Sequence, residues 1–157
     1  MTISIDKKVP DFTGAATSGT TFRLSDYSGK KNVVLYFYPK DSTPGCTTEG
    51  QNFRDLYDEF QSLDTEIFGV SRDSMRRHEN FKAKQNFPFE LISDEDESIC
   101  KLFDVIKLKK LYGREYMGIE RSTFLINKAG ILTHEWRKVK VKGHVAEVLQ
   151  AVKSLQP

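Results

Sequence analysis

Cysteine is scarce in this chain: Cys46 and Cys100 are the only two among 157 residues. That number excludes a disulfide scaffold and points to a reducing compartment, so the expected location is cytoplasmic. The two do not form a C-x-x-C pair, which argues against a dithiol disulfide reductase. No apolar run approaches the length of a membrane span, and residues 1–20 lack the apolar block of a secretory signal. Charge imbalance is also missing. With 24 Lys and Arg against 22 Asp and Glu, the net charge of +2 implies neither a nucleic-acid nor a membrane partner. The basic runs Lys107 to Lys110 and Arg137 to Lys142 carry no interleaved stacking aromatics. The second alternates with valines, as an exposed strand edge guarded by lysines would. His78, His134 and His144 have no metal-ligand spacing, and Gly14, Gly19 and Gly29 form no phosphate-binding pattern. Neither metal nor cofactor is expected.

What is present is an ordinary soluble composition, 38% hydrophobic and 29% charged, at a length that fits one domain over 1–157. Asn32 to Tyr38 is dense in β-branched and aromatic residues and reads as a buried strand. From Cys46 onward, Phe53, Leu56, Tyr57, Phe60 and Leu63 fall at helical spacing and predict one helix. Ile67 to Ser71 predicts a second buried strand, and Asp73 or Ser74 caps a helix running to about Gln85. Pro88 to Ile92 reads as a strand. Ser93 and Asp96 have capping-box spacing for a short helix through Phe103. Thr123 to Ile126 and Ile131 to Trp136 flank a four-residue hairpin loop, and Val145 to Leu155 makes a last amphipathic helix. Lys107 to Gly118 fits no element and is expected to be a mobile loop. The order gives an α/β class with a mixed sheet.

The chemistry concentrates at one junction. The apolar run stops at Pro39, and the helical pattern starts near Cys46, which sets that thiol in the first turn of a helix. Unpaired N–H groups and the helix dipole favour an anion there, and the thiolate is the reactive form of cysteine. A helix terminus supplies typically about 0.3–1 kcal/mol, whereas about 2.7 kcal/mol is needed to make a thiolate the major form at neutral pH. A cation is therefore required, and Arg121 is the candidate.

Pro39, Thr43 and Cys46 read as P-x-x-x-T-x-x-C, which resembles the active-site signature of peroxiredoxins. The wider text, Phe37 to Asp41 and Thr43 to Glu49, is similar to the peroxiredoxin Q or bacterioferritin-comigratory-protein-like branch. Gly118 to Ile126 resembles the segment carrying that family's active-site arginine, here Arg121. The resemblance implies a thioredoxin-like fold, a central mixed sheet with helices on both faces. It implies a thiol-dependent peroxidase acting on hydrogen peroxide and organic hydroperoxides through a sulfenic acid at Cys46. Thr43, Arg121 and the N–H groups of Gly45 and Cys46 would hold the peroxide, Pro39 would wall the pocket, and Glu49 would orient the arginine. The expected reductant is thioredoxin, or glutaredoxin with glutathione, and the expected state is a monomer, with a dimer as the alternative. The branch often carries a resolving cysteine at the position of Gln51 or within Asn80 to Lys84, and this chain has none there. Cys100, beside Ile99 and ahead of Leu102 and Phe103, reads as a core cysteine rather than a resolving one. A peroxide sensor or holdase, in which oxidised Cys46 signals without sustained turnover, is the rival reading.

Overall fold

A computed structural model describes residues 3–155. The strands are β1 (Thr13–Ala16), β2 (Thr20–Arg23), β3 (Asn32–Phe37), β4 (Thr65–Ser71), β5 (Glu90–Ser93), β6 (Ile106–Leu111), β7 (Arg114–Ile119), β8 (Ser122–Ile126) and β9 (Leu132–Trp136). The helices are α1 (Pro44–Asp55), α2 (Tyr57–Ser62), α3 (Met75–Gln85), α4 (Ser98–Leu102) and α5 (His144–Ser154). Seven strands make one sheet in the order β2-β1-β5-β4-β3-β8-β9. The central β5-β4-β3 pairs are parallel and the flanking pairs antiparallel, so the sheet is mixed.

Strand β3 is buried along its whole length and therefore feeds two cores. Val33, Leu35 and Phe37 point into one, together with Ile99, Cys100 and Phe103 of the α4 region. Val34, Tyr36 and Tyr38 point into the other, together with Cys46, Phe53, Phe60, Phe81 and Val148. Helices α1, α2, α3 and α5 thus cover one face and α4 the opposite one.

Several expectations are met closely. Ser74 caps α3 by accepting the N–H of Arg77, and Asn86 closes it in the left-handed conformation. The β8–β9 loop turns on Asn127, whose side chain accepts two N–H groups, and on Gly130 at φ +81°.

Four differ. The helix after Cys46 is interrupted at Leu56 (φ −105°, ψ 7°), but the break keeps the phase, and the apolar stripe faces the same core on both sides of it. Ser93 does not open a capping box, because its hydroxyl donates to the carbonyl of Asp73. The Asp94 carboxylate takes the N–H groups of Ile99 and Cys100 instead. Lys107 to Gly118 is a regular two-stranded hairpin, β6–β7, reversed at Tyr112 and Gly113, both at positive φ. Its large apolar side chains (Leu108, Leu111, Tyr112, Tyr116 and Met117) are exposed, which is why no buried stripe marks it in the sequence. Arg137 to Lys142 is irregular chain beyond the edge strand β9; Val139 N–H donates to the carbonyl of Arg121, and Arg137 lies over Phe124.

Candidate active site

The site lies where β3 ends and α1 begins. Thr43 is the N-cap of α1 in extended conformation, and Pro44 occupies the first helical position, where its fixed φ fits and no N–H is lost. The helical ladder starts with Thr47 N–H on the Thr43 carbonyl. Gly45 and Cys46 therefore present first-turn N–H groups, the arrangement that favours an anion. Cys46 is 1% exposed.

Arg121 arrives from the next strand. Ser122 pairs with Phe37 across β8 and β3, which sets Arg121 beside the end of the strand that leads to Cys46. Its Nη2 donates to Cys46 Sγ at 3.4 Å and its Nη1 to Glu49 Oε1 at 2.6 Å. Cys46 and Glu49 are three residues apart on one helix, so a single guanidinium spans both. A side chain at position 45 would press on it: a Cβ there would stand 3.2 Å from Arg121 Nη2. Burial opposes the charge of Arg121, yet Glu49 and the Cys46 sulfur together raise its pKa above the usual value.

Glu49 is fully buried, and burial pushes its carboxyl up to about 7 although Arg121 pulls the other way. Folded, the carboxyl keeps its proton to about pH 7; unfolded, it releases it near 4.5. Between those values the folded chain binds more protons, so this contribution to stability is complete below pH 4.5 and lost as pH rises through 7. Relative to Glu49→Gln, the wild type should lose about 3 kcal/mol over that window, read from urea unfolding of both proteins at pH 4.5 and 7.5. His144, buried and pushed down to about 4 by burial and by the charge of Arg121, titrates in the opposite sense. Both proteins share it, so the difference isolates Glu49.

The remaining predicted residues divide. Thr43 is half-buried, and its hydroxyl donates to the Lys40 carbonyl at 2.8 Å, which leaves its oxygen free to accept. Pro39, also half-buried, follows Tyr38 at the rim. Lys109 of β6 and Tyr116 of β7 lie against Gly118, and burial, with the charge of Arg121, lowers the Lys109 pKa. Cys100 is fully buried, in the core on the opposite face of the sheet from Cys46, and both thiols are free. Burial and the neighbouring Asp94 carboxylate push the Cys100 thiol far up, away from thiolate chemistry.

Three features escape sequence reasoning. Tyr36 Oη and Glu49 Oε2 are buried without hydrogen-bond partners, and burial, with the charges of Glu49 and Cys46, keeps the Tyr36 phenol protonated. Asp41, inside the Pro39–Cys46 stretch, is buried against His78 of α3. Nothing in the sequence pairs residues 37 positions apart; the one signal is an acidic residue four positions beyond the end of a buried strand.

Known proteins match this architecture. The profile of the AhpC/TSA family matches residues 5–135. Peroxiredoxin Bcp of Bacillus subtilis (strain 168) is 57% identical over 155 residues, covering 99% of this chain and 98% of its own. A structure from work on the alkyl peroxide reduction activity of Xanthomonas campestris bacterioferritin comigratory protein is 51% identical. It superposes with TM-score 0.86 over 91% of this chain and 90% of that one. A PrxQ mutant from Xylella fastidiosa is 44% identical, with TM-score 0.91 over 98% of both chains.

Proposed function

Because this chain belongs to the AhpC/TSA family, in its Bcp/peroxiredoxin Q branch, we propose that Cys46 is the sulfur on which its chemistry runs. The protein is a thiol-dependent peroxidase with the thioredoxin fold of that family. The observation that carries the assignment of Cys46 is its place in the first turn of α1 with Arg121 Nη2 on its sulfur.

The thiolate attacks one oxygen of ROOH, the O–O bond breaks, and Cys46 becomes a sulfenic acid while RO⁻ takes a proton to leave as ROH. Negative charge moves from sulfur to the departing oxygen. Arg121 and the N–H groups of Gly45 and Cys46 are fixed donors for that charge and need no reorganisation as it moves. Thr43, its own proton spent on Lys40, accepts the O–H of the peroxide and so orients it. Pro39 walls the rim against water. Two thiols then restore the enzyme: one displaces water from the sulfenic acid to give a mixed disulfide, and a second releases Cys46 as thiolate.

Hydrogen peroxide and alkyl hydroperoxides are the substrates in this reading, the second class being the one reduced by the Xanthomonas relative. The electrons come from an external thiol, thioredoxin first or glutaredoxin with glutathione, because Cys100 lies across the sheet. The chain acts as a single-domain monomer in the cytoplasm. Cys100→Ser should leave the rate of Cys46 oxidation within about twofold of wild type while costing no more than about 1 kcal/mol in urea unfolding, because the hydroxyl keeps the hydrogen bond that the thiol makes to Asp94.

The deciding experiment is intact mass after one equivalent of hydrogen peroxide, with and without dimedone. A dimedone adduct on Cys46 with Cys100 free supports a one-cysteine peroxidase. A loss of two hydrogens that maps to a Cys46–Cys100 bond overturns it. Sustained turnover with a thiol reductant separates an enzyme from a sensor.

A further inference from the structure

The strap from Pro39 to Thr43 joins β3 to the helix of Cys46, and one side chain of it turns inward. Lys40 and Ser42 are exposed, Pro39 and Thr43 half-buried, and Asp41 is 2% exposed. Its two carboxylate oxygens are both engaged: Oδ1 accepts the Tyr38 hydroxyl at 2.6 Å, and Oδ2 faces His78 Nδ1 at 2.6 Å. His78, fully buried on α3, has its Nε2 on the carbonyl of Ile92 at 2.9 Å. A carbonyl only accepts, so Nε2 carries a proton, and the 2.6 Å contact places a second one between Nδ1 and the carboxylate. The Asp41 N–H donates to Asp73 Oδ2, which also takes the Ser71 hydroxyl, while Asp73 Oδ1 takes Arg77 Nε. The donor atoms of Asp41, Asp73 and His78 lie within 4.8 Å of one another, the spacing of a metal cluster. Each is already held by a protein group, one of them by a cationic guanidinium, so the cluster is a hydrogen-bonded anchor.

The anchor matters because the two half-reactions need different things from Cys46. A peroxide is small and needs a fixed geometry around the sulfur. A protein thiol is large, must approach the sulfur in line, and meets a residue 1% exposed. The strap and first turn of α1 must move aside for the second step and return for the first.

We propose that Asp41 and His78 form a latch on the strap: closed, it holds Thr43 and Cys46 for peroxide attack; open, it admits the reducing thiol. The latch rests on the assignment of Cys46 given above. Asp41 and His78 are positioning residues, acting through the strap.

The latch predicts effects of opposite sign on the two half-reactions, which a merely structural role does not produce. The probes are hydrogen peroxide for oxidation and 2-nitro-5-thiobenzoate for consumption of the preformed sulfenic acid, on protein shown to be folded by circular dichroism. Asp41→Ala should be oxidised about tenfold more slowly, and its sulfenic acid consumed about threefold faster. Asp41→Asn should restore both rates towards wild type, since its amide donates to a neutral His78 Nδ1 and its oxygen still accepts from Tyr38. His78→Leu leaves the strap sequence intact and should show the same split as Asp41→Ala. Equal slowing of both steps in the folded variants, or wild-type rates in a folded His78→Leu, overturns the latch. Failure of the Cys46 assignment looks different: wild-type protein itself then forms no sulfenic acid at Cys46.

Discussion

Cys46→Ser should reduce peroxide turnover to background, a loss of at least about a thousandfold, while the protein stays folded. Serine is close to cysteine in shape, and α1 is set by Thr43, Pro44 and the stripe through Phe53 rather than by the sulfur. A hydroxyl is a far weaker nucleophile than a thiolate at neutral pH, and neither Arg121 nor the first-turn N–H groups lower that barrier enough to replace sulfur. The check is coupled turnover of hydrogen peroxide with a thioredoxin system, alongside a thermal melt. Retained turnover would remove Cys46 from the reaction and leave the buried Cys100 to explain it.

The second large effect belongs to Arg121. Arg121→Ala should slow Cys46 oxidation by about a hundredfold to a thousandfold, the scale of losing one fixed donor to developing charge. Removing half of a buried ion pair is ordinarily severe for folding. Here the remaining half, Glu49, already has its carboxyl pushed up to about 7 and can stay protonated, so the variant should fold. Arg121→Lys tests the geometry. The guanidinium reaches Cys46 with one nitrogen and Glu49 with another, and a single ammonium does not reproduce that planar fork. Second-order rates for both variants, measured with hydrogen peroxide, should fall together; a lysine variant at wild-type rate would reduce Arg121 to a point charge.

Much of the site is legible in the sequence because local rules and chemistry coincide there. Pro39 ends an apolar strand, Pro44 starts a helix, and Cys46 falls in its first turn for reasons that need no partner. Arg121 is different. Its place depends on the antiparallel pairing of Phe37 with Ser122, a long-range fact that the family resemblance supplied and periodicity did not. The β6–β7 hairpin is hidden because only its base, Ile106 and Ile119, meets the core, while the rest mixes lysines with exposed apolar residues. Asp41 and His78 stayed hidden for the converse reason: each looks like an ordinary polar residue until β3, α3 and β5 are brought together around them. Ser93 misled because capping spacing says nothing about whether a nearby carbonyl, here of Asp73, claims the hydroxyl first.

The sheet that divides Cys46 from Cys100 also sets how long the oxidised enzyme lasts. A chain with a second thiol within reach stores its oxidation as a bond, at a rate fixed by its own motions. On the one-cysteine chemistry proposed above this chain has no such store, and the waiting time of its sulfenic acid would be set by the concentration of thiols outside it. When those run low, the next peroxide meets an unprotected sulfenic acid and can carry it to the sulfinic state. Loss of activity would then follow the ratio of peroxide to thiol around the protein, rather than the dose of peroxide alone.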